Sequence, residues 1–336
     1  MSGYESIVLE VSEPSQVGEA RRLTQALGRN VGLGEEEQGR ISLIATELAT
    51  NLAKHAKQGY LLVRSTSVRE THGVEILAVD KGPGISNIGQ ALRDGFSTSG
   101  TPGHGLGVVK RQSTEFDIAS HPGKGTVVLS HVCFENCLPP GSLEVGAVCV
   151  RLKGEQVAGD GWALHERNGR ATLLVVDGLG HGRFAADAAG EAIRTFADHA
   201  AGNPEDILKE LHAELRKTRG AAGAVAEMFC AEGRVSFSGV GNVAGTVLVA
   251  GKRHNLVSQN GTLGAESRRI TVFDYPFPED AVLVLATDGV ATHWDLSPYP
   301  GLLHRHPSII AAVIHRDFSR GRDDATVVVA KRSSPA

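Results

Sequence analysis

The segment GEEEQGRISLIATELATNLAKHA (34–56) decides how the first half of this 336-residue chain is read. Ile41, Ile44, Leu48 and Leu52 recur at helical spacing, which predicts a helix with one apolar face over about 34–56. Glu47 and Asn51 stand four apart and share a helix face, as do Asn51 and His55. A carboxylate and an amide stacked in this way can serve as a base and a magnesium ligand, since Mg²⁺ favours oxygen donors. The same pair also suits the polar face of an ordinary amphipathic helix.

Working outward, a strand (5–11) and a helix (14–29) come before this segment, and strands at 60–68 and 73–80 follow it. In AVDKGPGI (78–85), Asp80 ends an apolar strand and is followed by Gly82 and Gly84. A carboxylate there can accept a hydrogen bond from an exocyclic amine, while the glycines let a ring approach the backbone. STSGTPGHGLGVVKR (97–111) is a glycine-rich loop running into a helix near 105–115, and backbone N–H groups at a helix start favour phosphate. Lys110 and Arg111 fit either contact with phosphate or, more simply, the solvated end of that helix. Strands near 116–120 and 125–132 then enclose GKGT (123–126), which ends in Thr126. Each motif alone matches many turns. The order E-x3-N, D-x-G-P-G, G-x-G-x-G, GKGT is far more specific.

The double proline and the glycines of FENCLPPGSLEVG (134–146) mark a boundary, giving a first domain over 1–136, a linker over 137–145 and a second domain over 146–333. The second half reads as strands near 143–151, 155–165 and 170–177, then helices at 184–201 and 204–218. Strands near 222–231, 234–239, 244–250, 271–274 and 281–287 follow, then a helix (307–318) and a last strand (324–331). Carboxylates recur at the strand ends. TLLVVDGLGHG (172–182) ends a strand at Asp177 and Gly178; AVLVLATDGV (281–290) does so at Asp288. RDDATVVVAKR (322–332) sets Asp323 and Asp324 before the final strand, and VAGDGWAL (157–164) adds Asp160. One Asp-Gly after a strand is an ordinary turn. Gathering several such carboxylates without cations is costly, and hard divalent ions are the natural compensation.

Composition excludes other classes. A net charge of −4 has no general basic character, so nucleic acid is not an expected partner. The longest apolar runs, such as AVLVLA (281–286), are too short to span a membrane, and the N-terminus lacks a signal-peptide pattern, so a cytoplasmic protein with no membrane partner is expected. The four cysteines form neither a C-x-x-C pair nor a framework, which predicts reduced thiols.

The ordered motifs of the first half resemble the ATP-binding domain shared by gyrases, Hsp90-type chaperones, histidine kinases and bacterial anti-sigma serine kinases. ELATNLAKHA and ALRDGFSTSGTPGHGLGVVKRQSTEFDIASHPGKGT are most similar to the stressosome switch kinases. This resemblance implies a Bergerat-type α/β two-layer sandwich binding ATP with Mg²⁺. Glu47 would orient or deprotonate an acceptor hydroxyl, Asn51 would hold Mg²⁺, and Asp80 would bind adenine. Gly82, Gly84 and Thr126 would line the nucleotide site, and Gly103, Gly105 and Gly107 would form the phosphate lid. His55 fits either nucleotide contact or packing under the helix.

The order GD…DGxGHG…TDG…DDAT resembles the sporulation stage II E branch of the metal-dependent protein phosphatase type 2C superfamily. It implies an α-β-β-α sandwich with two Mn²⁺ or Mg²⁺ ions. Asp177 would bridge the metals, the Gly178 carbonyl would bind one, and Asp288 and Asp323 would complete the other, with Asp160 direct or through water. The residues leave Asp323 and Asp324 open as the ligand, and the family pattern favours Asp323. His181 fits a general acid or a residue orienting its loop. Arg151, Arg167 and Arg183 are candidates to grip the phosphate. Together the resemblances imply a serine/threonine kinase joined to an opposing phosphatase, with STAS-domain scaffold or antagonist proteins of a sigma-factor cascade as partners. A homodimer is a further implication. The alternative is a first half that binds nucleotide and sequesters a regulator without phosphorylating it.

Overall fold

The structure, a computed structural model, describes residues 5–68, 71–93, 105–134, 143–167, 169–265 and 269–333. Two compact units emerge. The N-terminal unit comprises Ser6–Leu138 and the later segment Leu296–Val313; the C-terminal unit comprises Met1–Glu5, Pro139–Asp295 and Ile314–Ala336. This division differs from two contiguous halves because Leu296–Val313 makes its contacts with strands far earlier in the chain.

The N-terminal unit holds β1 (Ile7–Glu10), α1 (Ser15–Asn30), α2 (Glu35–His55), β2 (Tyr60–Val68) and β3 (Thr71–Val79). It continues with α3 (Ile88–Ala91), α4 (Gly105–Gln112), β4 (Glu115–His121) and β5 (Gly125–Cys133). The strands form one antiparallel sheet in the order β1-β2-β3-β5-β4. Alternation assigns the faces. Leu61, Val63, Val74, Ile76 and Ala78 point into a core shared with Ile41, Ile44, Leu48 and Leu52 of α2, so the stripe read from 34–56 is the buried one. On the other face lie Arg64 and Glu75, joined by two hydrogen bonds of 2.6 and 3.1 Å. Leu296–Val313 bonds to this unit too: Ser308 Oγ donates to Glu75 at 2.7 Å, and the His306 N–H donates to Asp117 at 2.7 Å. The Tyr299 ring packs edge-on against His121.

The C-terminal unit contains β6 (Leu143–Val150), β7 (Asp160–Arg167), β8 (Arg170–Gly178), α5 (Arg183–His199), α6 (Pro204–Glu214) and β9 (Ala221–Phe229). After these come β10 (Arg234–Val240), β11 (Ala244–Val249), β12 (Lys252–Leu256), β13 (Ser258–Gln259), β14 (Phe273–Pro276) and β15 (Val282–Ala286). The chain then runs through α7 (Pro307–Phe318), whose residues up to Val313 belong to the N-terminal unit, to β16 (Ala325–Arg332). One sheet has the order β13-β10-β9-β8-β7 with β14 added beside β10; the other has the order β12-β11-β15-β16-β6. Leu173 and Val175 face a core shared by both sheets, together with Trp162, Leu164, Leu283, Leu285, Val328 and Ala330. Leu174 and Val176 face the opposite way and pack under Ala188, Ala192 and Phe196 of α5 and Leu208 and Leu211 of α6. The sequence reading missed the polar strand β12 and the short β13, whose residues carry no apolar alternation.

Cys133 is disulfide-bonded, which corrects the expectation of four reduced thiols; Cys149 and Cys230 are free and buried. A bridge needs only two Cα atoms within about 7 Å, so the absence of framework spacing does not exclude one. No helix among the described residues is long and apolar enough to cross a membrane.

Candidate functional site

In the N-terminal unit, α4 lies against α2 so closely that Gly105 faces both polar residues of the helix. A Cβ added at Gly105 would stand 3.3 Å from the Asn51 side-chain nitrogen and 3.4 Å from a Glu47 carboxylate oxygen. The glycine therefore leaves open backbone beside a carboxylate and an amide, each only partly buried. Gly107, two residues further, is buried in α4. Gly103 lies outside the described residues. His55 is exposed at the end of α2, so its side chain does not pack under the helix.

Asp80 follows directly on β3. One of its carboxylate oxygens accepts the Gly82 N–H at 2.6 Å, and its own N–H donates to the Thr126 carbonyl at 3.0 Å. Thr126 is 8% exposed and its hydroxyl pairs with Ser120 Oγ at 2.8 Å. Gly84 takes φ +76°, and a Cβ there would run into the His121 carbonyl. Only glycine fits that position, since the conformation and the close approach both exclude a side chain. Asp80, Gly82, Gly84 and Thr126 thus form one tight corner, with the Lys81 N–H donating to the Lys57 carbonyl just beyond α2.

The C-terminal site follows from strand parity. Asp177 shares the face of Leu173 and Val175, and Asp160 shares that of Trp162 and Leu164, so both carboxylates point between the two sheets. The two residues are direct partners across the β7–β8 ladder. Because β15 and β16 are also antiparallel, the end of one and the start of the other meet at the same edge. There the Thr287 hydroxyl donates to Asp160 at 2.7 Å, and Asn242 donates to Asp288 at 2.6 Å. Gly178 is held by close approach, since a Cβ there would meet the backbone of Ala185 near the start of α5.

The electrostatics set these carboxylates apart. Burial raises the Asp177 pKa, and Asp160, Asp288, Asp323 and Asp324 raise it further, to about 8. Burial likewise lifts Asp160 to about 7, against the hydrogen bond from Thr287. Among the described residues no lysine or arginine forms an ion pair with any of these five carboxylates. Nor do three His, Cys, Asp or Glu side chains among the described residues converge as a finished metal cage. The group fits hard divalent cations through its donor chemistry, with carbonyl and water oxygens needed beside the carboxylates.

Asp323 and Asp324 differ. Asp324 is 2% exposed, and its two oxygens accept the backbone N–H groups of Leu152 (2.7 Å) and Gly159 (2.8 Å). Asp323 is only half-buried, and one of its oxygens accepts the Asp324 N–H at 2.9 Å. His181 is turned to Glu155, with Nδ1 2.6 Å from the carboxylate. Arg151 is paired with Glu5 at 2.7 Å, while Arg183 is exposed at the start of α5. Sequence reasoning missed Thr287, Asn242 and Glu155. Thr287 has a local signal, its place beside Asp288 at a strand end; Asn242 and Glu155 have none.

Residues 11–131 match the family Histidine kinase-like ATPase domain, and residues 167–333 match Stage II sporulation protein E (SpoIIE). The serine/threonine-protein kinase RsbT of Bacillus subtilis (strain 168) is 39% identical over 109 residues, covering 32% of this chain and 82% of the relative. A solved structure described as "The bacterial stressosome: a modular system that has been adapted to control secondary messenger signaling" is 28% identical. It covers 56% of this chain and 99% of that chain, with a TM-score of 0.53. RsbX in complex with magnesium is 16% identical, covers 58% of this chain and 98% of that chain, and has a TM-score of 0.52, a likeness of fold alone.

Proposed function

The chain belongs to the family of the serine/threonine-protein kinase RsbT through its N-terminal half and carries a SpoIIE-type phosphatase domain in its C-terminal half, and on that premise we propose a bifunctional signalling enzyme. One half transfers phosphate from ATP to a serine or threonine of a STAS-domain protein, and the other removes it. The observation that carries this reading is the carboxylate group around Asp177, which pairs with no lysine or arginine among the described residues although burial and mutual repulsion both disfavour its charge. A purely structural cluster would be neutralised by its own side chains.

In the N-terminal half, ATP with Mg²⁺ supplies the phosphoryl group and the charge that screens it. Asp80 accepts a hydrogen bond from the adenine amine, and Gly82, Gly84 and Thr126 shape the corner around it. Asn51 offers its side-chain oxygen to the cation. Glu47 orients the acceptor hydroxyl or takes its proton. Gly103, Gly105 and Gly107 present backbone to the phosphates.

In the C-terminal half, Mn²⁺ or Mg²⁺, when bound, would lower the pKa of a water molecule and offset the phosphate charge. Asp177 would bridge two ions, with the Gly178 carbonyl, Asp288 and Asp323 as further donors. The engagement of both Asp324 oxygens by backbone amides supports Asp323 as the ligand and Asp324 as a clamp. Asp160, held by Thr287, would contribute directly or through water. His181, tied to Glu155, orients its loop.

The test is mass spectrometry of a STAS-domain protein incubated with the chain, Mg-ATP and Mn²⁺, repeated with Asp177→Ala. Phosphate should accumulate on the target with the variant and stay low with the wild type. Absence of phosphate in both reactions would refute the kinase, and equal accumulation in both would refute the phosphatase.

A further inference from the structure

Beside the Asp177 loop, two large apolar side chains stand in solvent: Leu179 is 43% exposed and Phe184 61%. The Arg219 guanidinium stacks on the Phe184 ring, 4.7 Å from its centroid. It also lies over Gly180, where an added Cβ would be 3.4 Å from an Arg219 nitrogen. The backbone around it is pinned. The Leu179 N–H donates to the Gly220 carbonyl at 3.1 Å, and the Thr218 hydroxyl both donates to the Leu215 carbonyl and accepts the Gly220 N–H. Among the described residues Arg219 has no carboxylate partner.

An exposed aromatic ring capped by an unpaired arginine is a recognition chemistry, since aromatic and arginine side chains dominate protein-binding hot spots. Charge assigns the occupant. With cations bound, the five carboxylates at the neighbouring strand ends would be neutralised, and Arg219 is the positive charge left beside them. Arg219 supplies the opposite charge at their edge, where an incoming carboxylate would find its attraction. We propose that Leu179, Phe184 and Arg219 form the docking surface for the segment flanking the phosphorylated residue of a protein substrate, with an apolar side chain on Leu179 and Phe184 and a carboxylate on Arg219. This inference rests on the phosphatase reading above and gives it a substrate class: phosphoproteins with an acidic flank.

Fluorescence anisotropy on the full-length chain with Mn²⁺ tests it. The probes are two labelled peptides that carry a non-hydrolysable phosphonate in place of phosphoserine and differ only in acidic or basic flanks. The wild type should bind the acidic-flanked peptide about tenfold more tightly, Arg219→Glu should reverse that ratio, and Arg219→Lys should keep its direction. Phe184→Ala should weaken both peptides by about fivefold. Equal affinity for the two peptides, no binding of either, or an unchanged ratio in Arg219→Glu overturns the inference. Hydrolysis of p-nitrophenyl phosphate, which has no flank, is read in parallel. If the wild type fails to hydrolyse it, the phosphatase reading fails, whereas the docking surface stands or falls on the anisotropy ratio.

Discussion

Glu75 in the N-terminal unit and Asp160 in the C-terminal unit are almost equally buried, at 5% and 7% exposure, yet their charges meet opposite fates. Burial works against the Glu75 carboxylate, but Arg64, Ser308 and His306 outweigh it and hold the pKa below the ordinary value. Around Asp160 and Asp177 burial acts in the same direction, and the charges acting on Asp177 are further carboxylates, so both pKa values rise. Depth of burial is therefore not what marks a site. A buried charge with its counter-charge built in belongs to the architecture, and one without such a partner is a candidate for a ligand from outside.

The largest expected effect breaks the compensated side. Arg64→Ala leaves Glu75 buried without its cation and should cost about 3–5 kcal/mol by calorimetric or denaturant unfolding. The double variant Arg64→Met, Glu75→Leu should recover most of that loss, because removing both charges leaves neither to be desolvated. If the single variant is as stable as the wild type, Glu75 is not held by Arg64 and the contrast collapses.

A slightly smaller effect comes from pH. Burial lowers the His306 pKa to about 4 from an ordinary 6.5, so an unfolded chain takes up a proton that the folded one refuses. Its stabilising contribution is complete above about pH 6.5 and is lost as pH falls toward 4, on the order of 3 kcal/mol in all. Amide exchange in β2 and β3 should accelerate over that window in the wild type and respond less in His306→Gln. The uncompensated side carries the opposite sign. Asp160 and Asp177, with raised pKa values, bind protons that the unfolded chain does not, so their contribution to the metal-free protein is present at low pH and is lost as pH rises through about 7 to 8.

Metal addition gives the smallest of the three effects. Mn²⁺ at a hundredfold excess over its dissociation constant should stabilise the chain by about 2.7 kcal/mol. The thermal shift should be greater at pH 8 than at pH 6, because protons compete for the same oxygens. Asp177→Asn should remove most of the shift. A shift of equal size in that variant would show that the ion binds elsewhere.

Most elements of the fold were legible in the sequence because their signals are local. The stripe Ile41, Ile44, Leu48 and Leu52 is the buried face of α2, and the alternation around Leu173 and Val175 divides β8 between two cores. Candidate site residues stood out where a carboxylate interrupts an apolar run, as at Asp80, Asp177 and Asp288. Asn242, Glu155 and Arg64 carry no such mark, because a polar residue in a turn or strand has the same local pattern whether or not a partner waits across the fold.

The sequence by itself determined which segments become strands and helices and that carboxylates stand at strand ends, since periodicity and turn chemistry act over a few residues. Only the tertiary structure decided that four strand ends meet at one edge and that the two Asp324 oxygens accept the backbone N–H groups of Leu152 and Gly159. It also decided that Ser308, 233 positions away, completes the shell of Glu75. Those outcomes depend on ladder register and on contacts between distant segments, whose free energy is written in no single stretch of the chain.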